Sequence, residues 1–88
     1  MSDEVNVDSL EAALFKELIK VRKEKGISQT ELGELSGFRQ PVISRIEHGL
    51  LSPYLSTMIK VLAPLGKTLY IGDLWRNLKS QANDRVLI

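Results

Sequence analysis

SGFRQPVISRIEHG, residues 36–49, is the stretch on which the fold turns. Its apolar residues Phe38, Val42, Ile43 and Ile46 fall at helical spacing, yet Pro41 stands among them. Proline inside a helix removes a hydrogen bond and clashes with the preceding turn. The conflict disappears if a helix begins at Arg39 or Gln40. At a helix entrance the missing N–H would have had no partner, and the fixed φ suits the first turn. The stretch therefore predicts a short helix from Gln40 to about His48, stopped by Gly49.

Upstream lies Ser28-Gln29-Thr30-Glu31, a capping box in which Ser28 and Glu31 satisfy each other's backbone N–H groups. It predicts a second short helix from Gln29 to about Ser36, with Leu32 and Leu35 on its inner face and Gly37 at its end. Further upstream, LEAALFKELIKVRKEK carries Leu10, Leu14, Leu18 and Val21 at 3–4 spacing, with Phe15 and Ile19 widening the stripe. This is an amphipathic helix from about Asp8 or Ser9, stopped by Gly26.

Downstream of the opening stretch, Ser52-Pro53-Tyr54 is a connecting turn. A fourth helix, LSTMIKVLAPL, is expected to be buried through Leu55, Met58, Ile59, Leu62 and Leu65. Pro64 should distort its last turn, and Gly66 closes it. KTLYIGDL, residues 67–74, changes character: Thr68, Tyr70 and Ile71 favour strands, and Leu69 and Ile71 alternate with Thr68 and Tyr70. DLWRNLKSQAN reads as a short helix with Asp73 as cap and Leu74, Trp75 and Leu78 on one face, followed by the apolar tail RVLI.

The expected fold is all-α: a compact bundle of four to five helices with a central helix-turn-helix, plus one short C-terminal strand. Three regions are expected: a loose leader over 1–8, a helical domain over 9–66, and an extension over 67–88. A lone strand cannot satisfy its own ladder, and nothing else in the chain pairs with it convincingly. The simplest partner is the same strand of a second copy, in an antiparallel two-fold dimer. Thr68, Leu69, Tyr70, Ile71 and Trp75 would form that interface. The alternative is a monomer with an irregular tail folded over its own core.

Composition narrows the function. Eighty-eight residues make one small domain whose stability would gain from a partner subunit. There is no cysteine and one histidine, so neither a disulfide framework nor a cysteine- or histidine-built metal site is available, and no cofactor is expected. No apolar run is long enough to span a membrane, and the acidic N-terminus is unlike a signal peptide, which suggests a cytoplasmic protein. No glycine loop cradles phosphate and no histidine–carboxylate arrangement suggests catalysis, so an enzyme is not expected. The first fifteen residues hold Asp3, Glu4, Asp8 and Glu11 and no base; −4 against a net +1 leaves +5 on the remainder. A solvated acidic leader explains the asymmetry equally well.

Two short helices joined by a tight turn form the unit used to read DNA. Its pattern asks for a polar residue opening the first helix (Gln29), a small one four later where the helices touch (Gly33), and a turn glycine (Gly37). An apolar residue follows (Phe38), then buried aliphatics (Ile43, Ile46). All of these positions are suitably filled. Together SQ-x-x-L, ISRIE-x-G and P-x-L-x-T give residues 14–67 a close resemblance to the DNA-binding domain of the lambdoid phage repressor and Cro class, the XRE-type helix-turn-helix family. Two departures stand out. Gly33 replaces the usual alanine, at about 1 kcal/mol of helix propensity. Arg39 stands where a serine cap is common.

The resemblance implies site residues. Gln40, Pro41, Ser44 and Arg45 match the groove-facing positions and lie on one side of a helix, away from Val42, Ile43 and Ile46. Gln40 suits adenine, Arg45 guanine, and Pro41 a thymine methyl. Gln29, Thr30, Arg39 and Ser52 would touch the phosphate backbone, which positions without specifying. Arg22 and Glu47 are implied as a partly buried ion pair tying the first helix to the third. His48 reads as a near-surface polar residue. Two copies would present two reading helices to a palindromic operator.

In length and layout the chain also resembles antitoxins of the HipB type, which dimerise through a similar strand. That resemblance implies a toxin partner and autorepression of a shared operon. The expected function is thus a dimeric, sequence-specific DNA-binding repressor, plausibly an antitoxin. The alternative is a protein-interaction adaptor with the same fold that does not read DNA.

Overall fold

The computed structural model describes residues 5–74. Helix α1 covers Val7–Glu24, α2 Gln29–Ser36, α3 Gln40–Glu47 and α4 Leu55–Leu62, which tightens into a 3-10 turn over Ala63–Leu65. The all-α helix-turn-helix architecture expected from the sequence is present.

Helix α1 starts at Val7, inside the stretch expected to be a loose leader, because Asn6 is an N-cap whose side chain accepts from the Ser9 N–H at 3.1 Å. Phe15, Leu18 and Val21 are buried, while Leu10, Leu14 and Ile19 are half-buried. At α2 the capping box is complete. The Glu31 N–H donates to Ser28 Oγ at 3.0 Å, and the Ser28 N–H donates to the Glu31 carboxylate at 2.8 Å.

The turn between α2 and α3 depends on two glycines. Gly37 has φ +87°, a left-handed conformation that costs a side-chain-bearing residue about 1 kcal/mol or more. The N–H groups of both Gly37 and Phe38 donate to the Gly33 carbonyl at 2.8 Å, which folds the chain back on itself. A Cβ at Gly33 would run into the Phe38 carbonyl oxygen and press on the Arg39 and Gln40 backbone at 3.4 Å. Gly33 is therefore where α3's entrance lies against α2. Helix α3 opens at Arg39 without a side-chain cap, and Pro41 sits in its first turn as the sequence predicts.

The core gathers Phe15, Leu18 and Val21 of α1, Leu32 of α2, Ile43 and Ile46 of α3, and Met58, Val61, Leu62 and Leu65 from the last helix and its turn. Leu14, Ile27, Phe38, Val42 and Leu69 pack against it. Three expected core residues lie outside: Leu35, Leu55 and Ile59 are exposed, and Val61, not singled out in the sequence, is fully buried. In α4 the apolar residues Leu55, Met58, Ile59, Val61 and Leu62 span a wider arc than the one that is buried, so which of them is covered is set by where α4 meets its neighbours. The covered face is turned about half a residue's step from the one expected, toward Val61 and away from Leu55 and Ile59.

The expected strand does not form. Among the described residues none is in a strand, and residues 67–73 run without regular structure. Leu69 rests on the core, whereas Tyr70 and Ile71 are 87% and 99% exposed. The physical reason is the one that made the strand conditional: no second strand in the same chain offers a ladder. Trp75, Leu78 and the RVLI tail, with nearly all of the expected short helix, lie outside the described residues.

Candidate nucleic-acid interface

The two helices of the 29–47 unit place a continuous polar surface on one side of the molecule. Pro41 and Arg45 are exposed, and Gln40 and Ser44 are half-buried at its edge. Behind them Ile43, Ile46 and Glu47 are buried. The division is the one helical period requires: 40, 41, 44 and 45 share a side, and 43, 46 and 47 occupy the other. Arg39 and Thr30 are also exposed and flank this surface from the two helix entrances.

A buried relay supports it. Arg22 Nε donates to Glu47 Oε2 at 2.6 Å, and Arg22 Nη2 to Oε1 at 3.0 Å, in a two-point pair. Arg22 Nη1 donates to the Ile27 carbonyl at 2.9 Å, fastening the turn after α1. Both residues are more than nine-tenths buried. An ion pair in that setting fixes the relative placement of α1 and α3 more than it adds net stability.

Glu47 Oε1 also accepts from Gln29 Nε2 at 2.8 Å, and Gln29 Oε1 accepts from Gln40 Nε2 at 2.7 Å. The carboxylate can only accept, so Gln29 must turn its nitrogen toward Glu47 and its oxygen toward Gln40. Gln40 must in turn present its nitrogen. Its carbonyl oxygen and second N–H remain for another partner. One acceptor beside one donor in a plane is the set that pairs with the N6 and N7 edge of adenine. Gln29 keeps one N–H at the α2 entrance, where the helix dipole favours an anion.

Ser52, expected at the phosphate backbone, is exposed on the loop between α3 and α4. Its hydroxyl donates to Glu11 Oε2 at 2.8 Å, strapping the α3–α4 loop to α1. The hydroxyl proton is thus engaged in the protein itself. Glu11 carries no sequence signal for this, since the two residues lie forty-one positions apart. His48, expected to be a near-surface polar residue, is exposed; it follows Ser44 by four and Pro41 by seven residues, which puts it on their side of α3. The Arg22–Glu47 link was accessible only through family resemblance, and the Gln29–Gln40 bond was not anticipated.

Among the described residues no cluster of His, Asp or Glu could hold a metal ion, and no helix is long and apolar enough to cross a membrane.

Residues 18–71 match the family model described as helix-turn-helix. An uncharacterised HTH-type transcriptional regulator of Haemophilus influenzae is 54% identical over 69 residues, covering 78% of this chain and 70% of that protein. The HTH-type transcriptional regulator PuuR of Escherichia coli is 41% identical over 54 residues, 61% of this chain but only 29% of PuuR. A solved structure, a toxin–antitoxin module from Streptococcus pneumoniae, superimposes with a TM-score of 0.67 at 50% identity. The match covers 84% of this chain and 81% of that one.

Proposed function

Because the chain belongs to the XRE-type helix-turn-helix family, we propose that it is a dimeric, sequence-specific DNA-binding repressor that serves as the antitoxin of an operon it autoregulates. The observation that carries the reading is the open face of Gln40, Pro41, Ser44 and Arg45, with Gln40 locked through Gln29 in the donor–acceptor orientation that a base edge needs.

The division of labour follows from chemistry. Arg45 offers a planar fork to guanine O6 and N7, Gln40 reads adenine, and Pro41 packs on a thymine methyl. Gln29, Thr30 and Arg39 hold the phosphate backbone and set the depth of α3 in the groove. Dimerisation through residues 68–71, extended by Trp75, doubles the interface and makes the operator palindromic, with half-sites about 34–36 Å or a multiple apart. The exposed Tyr70 and Ile71 support that assignment, as apolar side chains left uncovered on a segment without regular structure. Repression works by occluding the operator. A toxin, bound away from α3, is the second macromolecular partner suggested by the likeness to the pneumococcal module.

Selection from random duplexes, followed by the particle mass of the selected complex, tests the reading. A palindromic consensus, two chains per duplex and affinity falling steeply with salt are expected. Weak binding without consensus and with a flat salt response would favour an adaptor instead.

A further inference from the structure

His48 shares the side of α3 that carries Pro41, Ser44 and Arg45. At 3.6 residues per turn, positions 41, 44, 45 and 48 fall within about 100° of one another, and 48 lies between 44 and 45. His48 is the C-cap of α3, and its backbone N–H still donates to the Ser44 carbonyl at 3.0 Å, which keeps its Cα on the helical path. It is exposed, and lies about 10 Å along the helix axis from Pro41, close to the width of a major groove. A side chain there meets the groove's edge, where the phosphates are.

The ring is already oriented. Nδ1 lies 2.8 Å from the Ser44 carbonyl oxygen and 3.4 Å from Ser44 Oγ. A carbonyl only accepts, so Nδ1 carries a proton in every state that keeps this bond. In the neutral ring Nε2 is then a bare acceptor, which a phosphate oxygen cannot bond. Only the imidazolium presents an N–H at Nε2. We propose that His48 is a phosphate-binding residue of the DNA interface that binds as the imidazolium, so that DNA binding takes up one proton per protomer. This rests on the DNA-reading function above.

The surroundings allow the charge. Lys16 of α1 and Glu47 of α3 line the same small cleft, with Ala12, Phe15 and Gly49. Glu47 is committed to Arg22 and Gln29, and Glu11 of α1 to Ser52. Arg45 lies three residues back on α3. The C-terminal end of α3 favours a cation, and a duplex supplies the counter-charge that Lys16 and Arg45 oppose. Since the proton is held in the complex, affinity is greater at about pH 5.5 than at about pH 8.5. The chain holds one histidine and no cysteine, so no other side chain ordinarily titrates there.

The test is fluorescence anisotropy of the full chain on its selected duplex at about pH 5.5 and about pH 8.5, each over the same series of ionic strengths. Wild type should bind about three- to thirtyfold more tightly at the lower pH, with a salt slope steeper by about two for a dimer. His48→Gln should lose that pH response, and His48→Arg should bind tightly at both values. A pH response retained in His48→Gln would overturn the proposal. So would tighter wild-type binding at high pH, which indicates a neutral ring accepting from a base amine. Failure of the DNA reading itself is distinguishable: wild type would show no selected duplex at either pH, and both inferences would fall together.

Discussion

Gly33 and the four-residue relay show how much single side chains decide. Family resemblance marks glycine at 33 as a weak helix former in an alanine position. The Phe38 carbonyl beside it shows why the glycine fits: a methyl group has no room unless α2 and α3 part. Gly33→Ala should therefore lower the Tm, although alanine gains about 1 kcal/mol in helix propensity. A higher Tm in a thermal melt would contradict the tight turn. The relay makes a different prediction. Arg22→Ala leaves Glu47 buried without its cation and should cost about 3–5 kcal/mol in denaturant titration. Replacing both partners, Arg22→Met with Glu47→Leu, should recover most of that loss. It should also free Gln29 and relax the preference for adenine opposite Gln40. If the double variant kept full base preference, the relay would not be what orients Gln40.

The elements were legible wherever a local signal stood alone. The Ser28–Glu31 box, the proline at the α3 entrance and the stripe on α1 each settle a helix from a few residues, because caps and periodicity act within one or two turns. Burial in the two-turn helices was not legible to the same degree. Leu35, at the end of α2, is 61% exposed because eight residues fix the phase of a helix poorly. Leu55 and Ile59 were misplaced because the apolar arc of α4 is wider than the part that its neighbours cover. The strand at 67–74 failed for another reason: extended residues need a partner that no local pattern can supply. Arg39, at the uncapped entrance of α3, makes the element-scale prediction. Arg39→Ser should add a cap and about 0.5–1 kcal/mol of stability. The same change should weaken binding to all duplexes alike and lower the salt slope by about one per protomer. Unchanged DNA affinity would remove Arg39 from the backbone contacts.

The molecule as a whole is a rigid wedge for α3, built so that α1 braces it from behind through Arg22–Glu47 and the loop after it is strapped by Ser52–Glu11. A single copy offers one α3 and leaves Tyr70 and Ile71 uncovered. Ile71→Lys should shift the particle toward the mass of one chain and weaken operator binding, while leaving the helical signal nearly unchanged. A dimer that survives this change would place the interface elsewhere. None of the pairs that build the wedge are sequence neighbours. This is why no local pattern signals Ser52–Glu11, and why Arg22–Glu47 was implied only by the family resemblance.

The most direct measurement is the binding of Arg45→Ala to the selected operator and to every single-base variant of it. The account predicts a loss of about 1–3 kcal/mol on the operator, with preference abolished at one base pair in each half-site and retained at the others. Affinity and preference both unchanged would mean that the exposed side of α3 does not enter the groove.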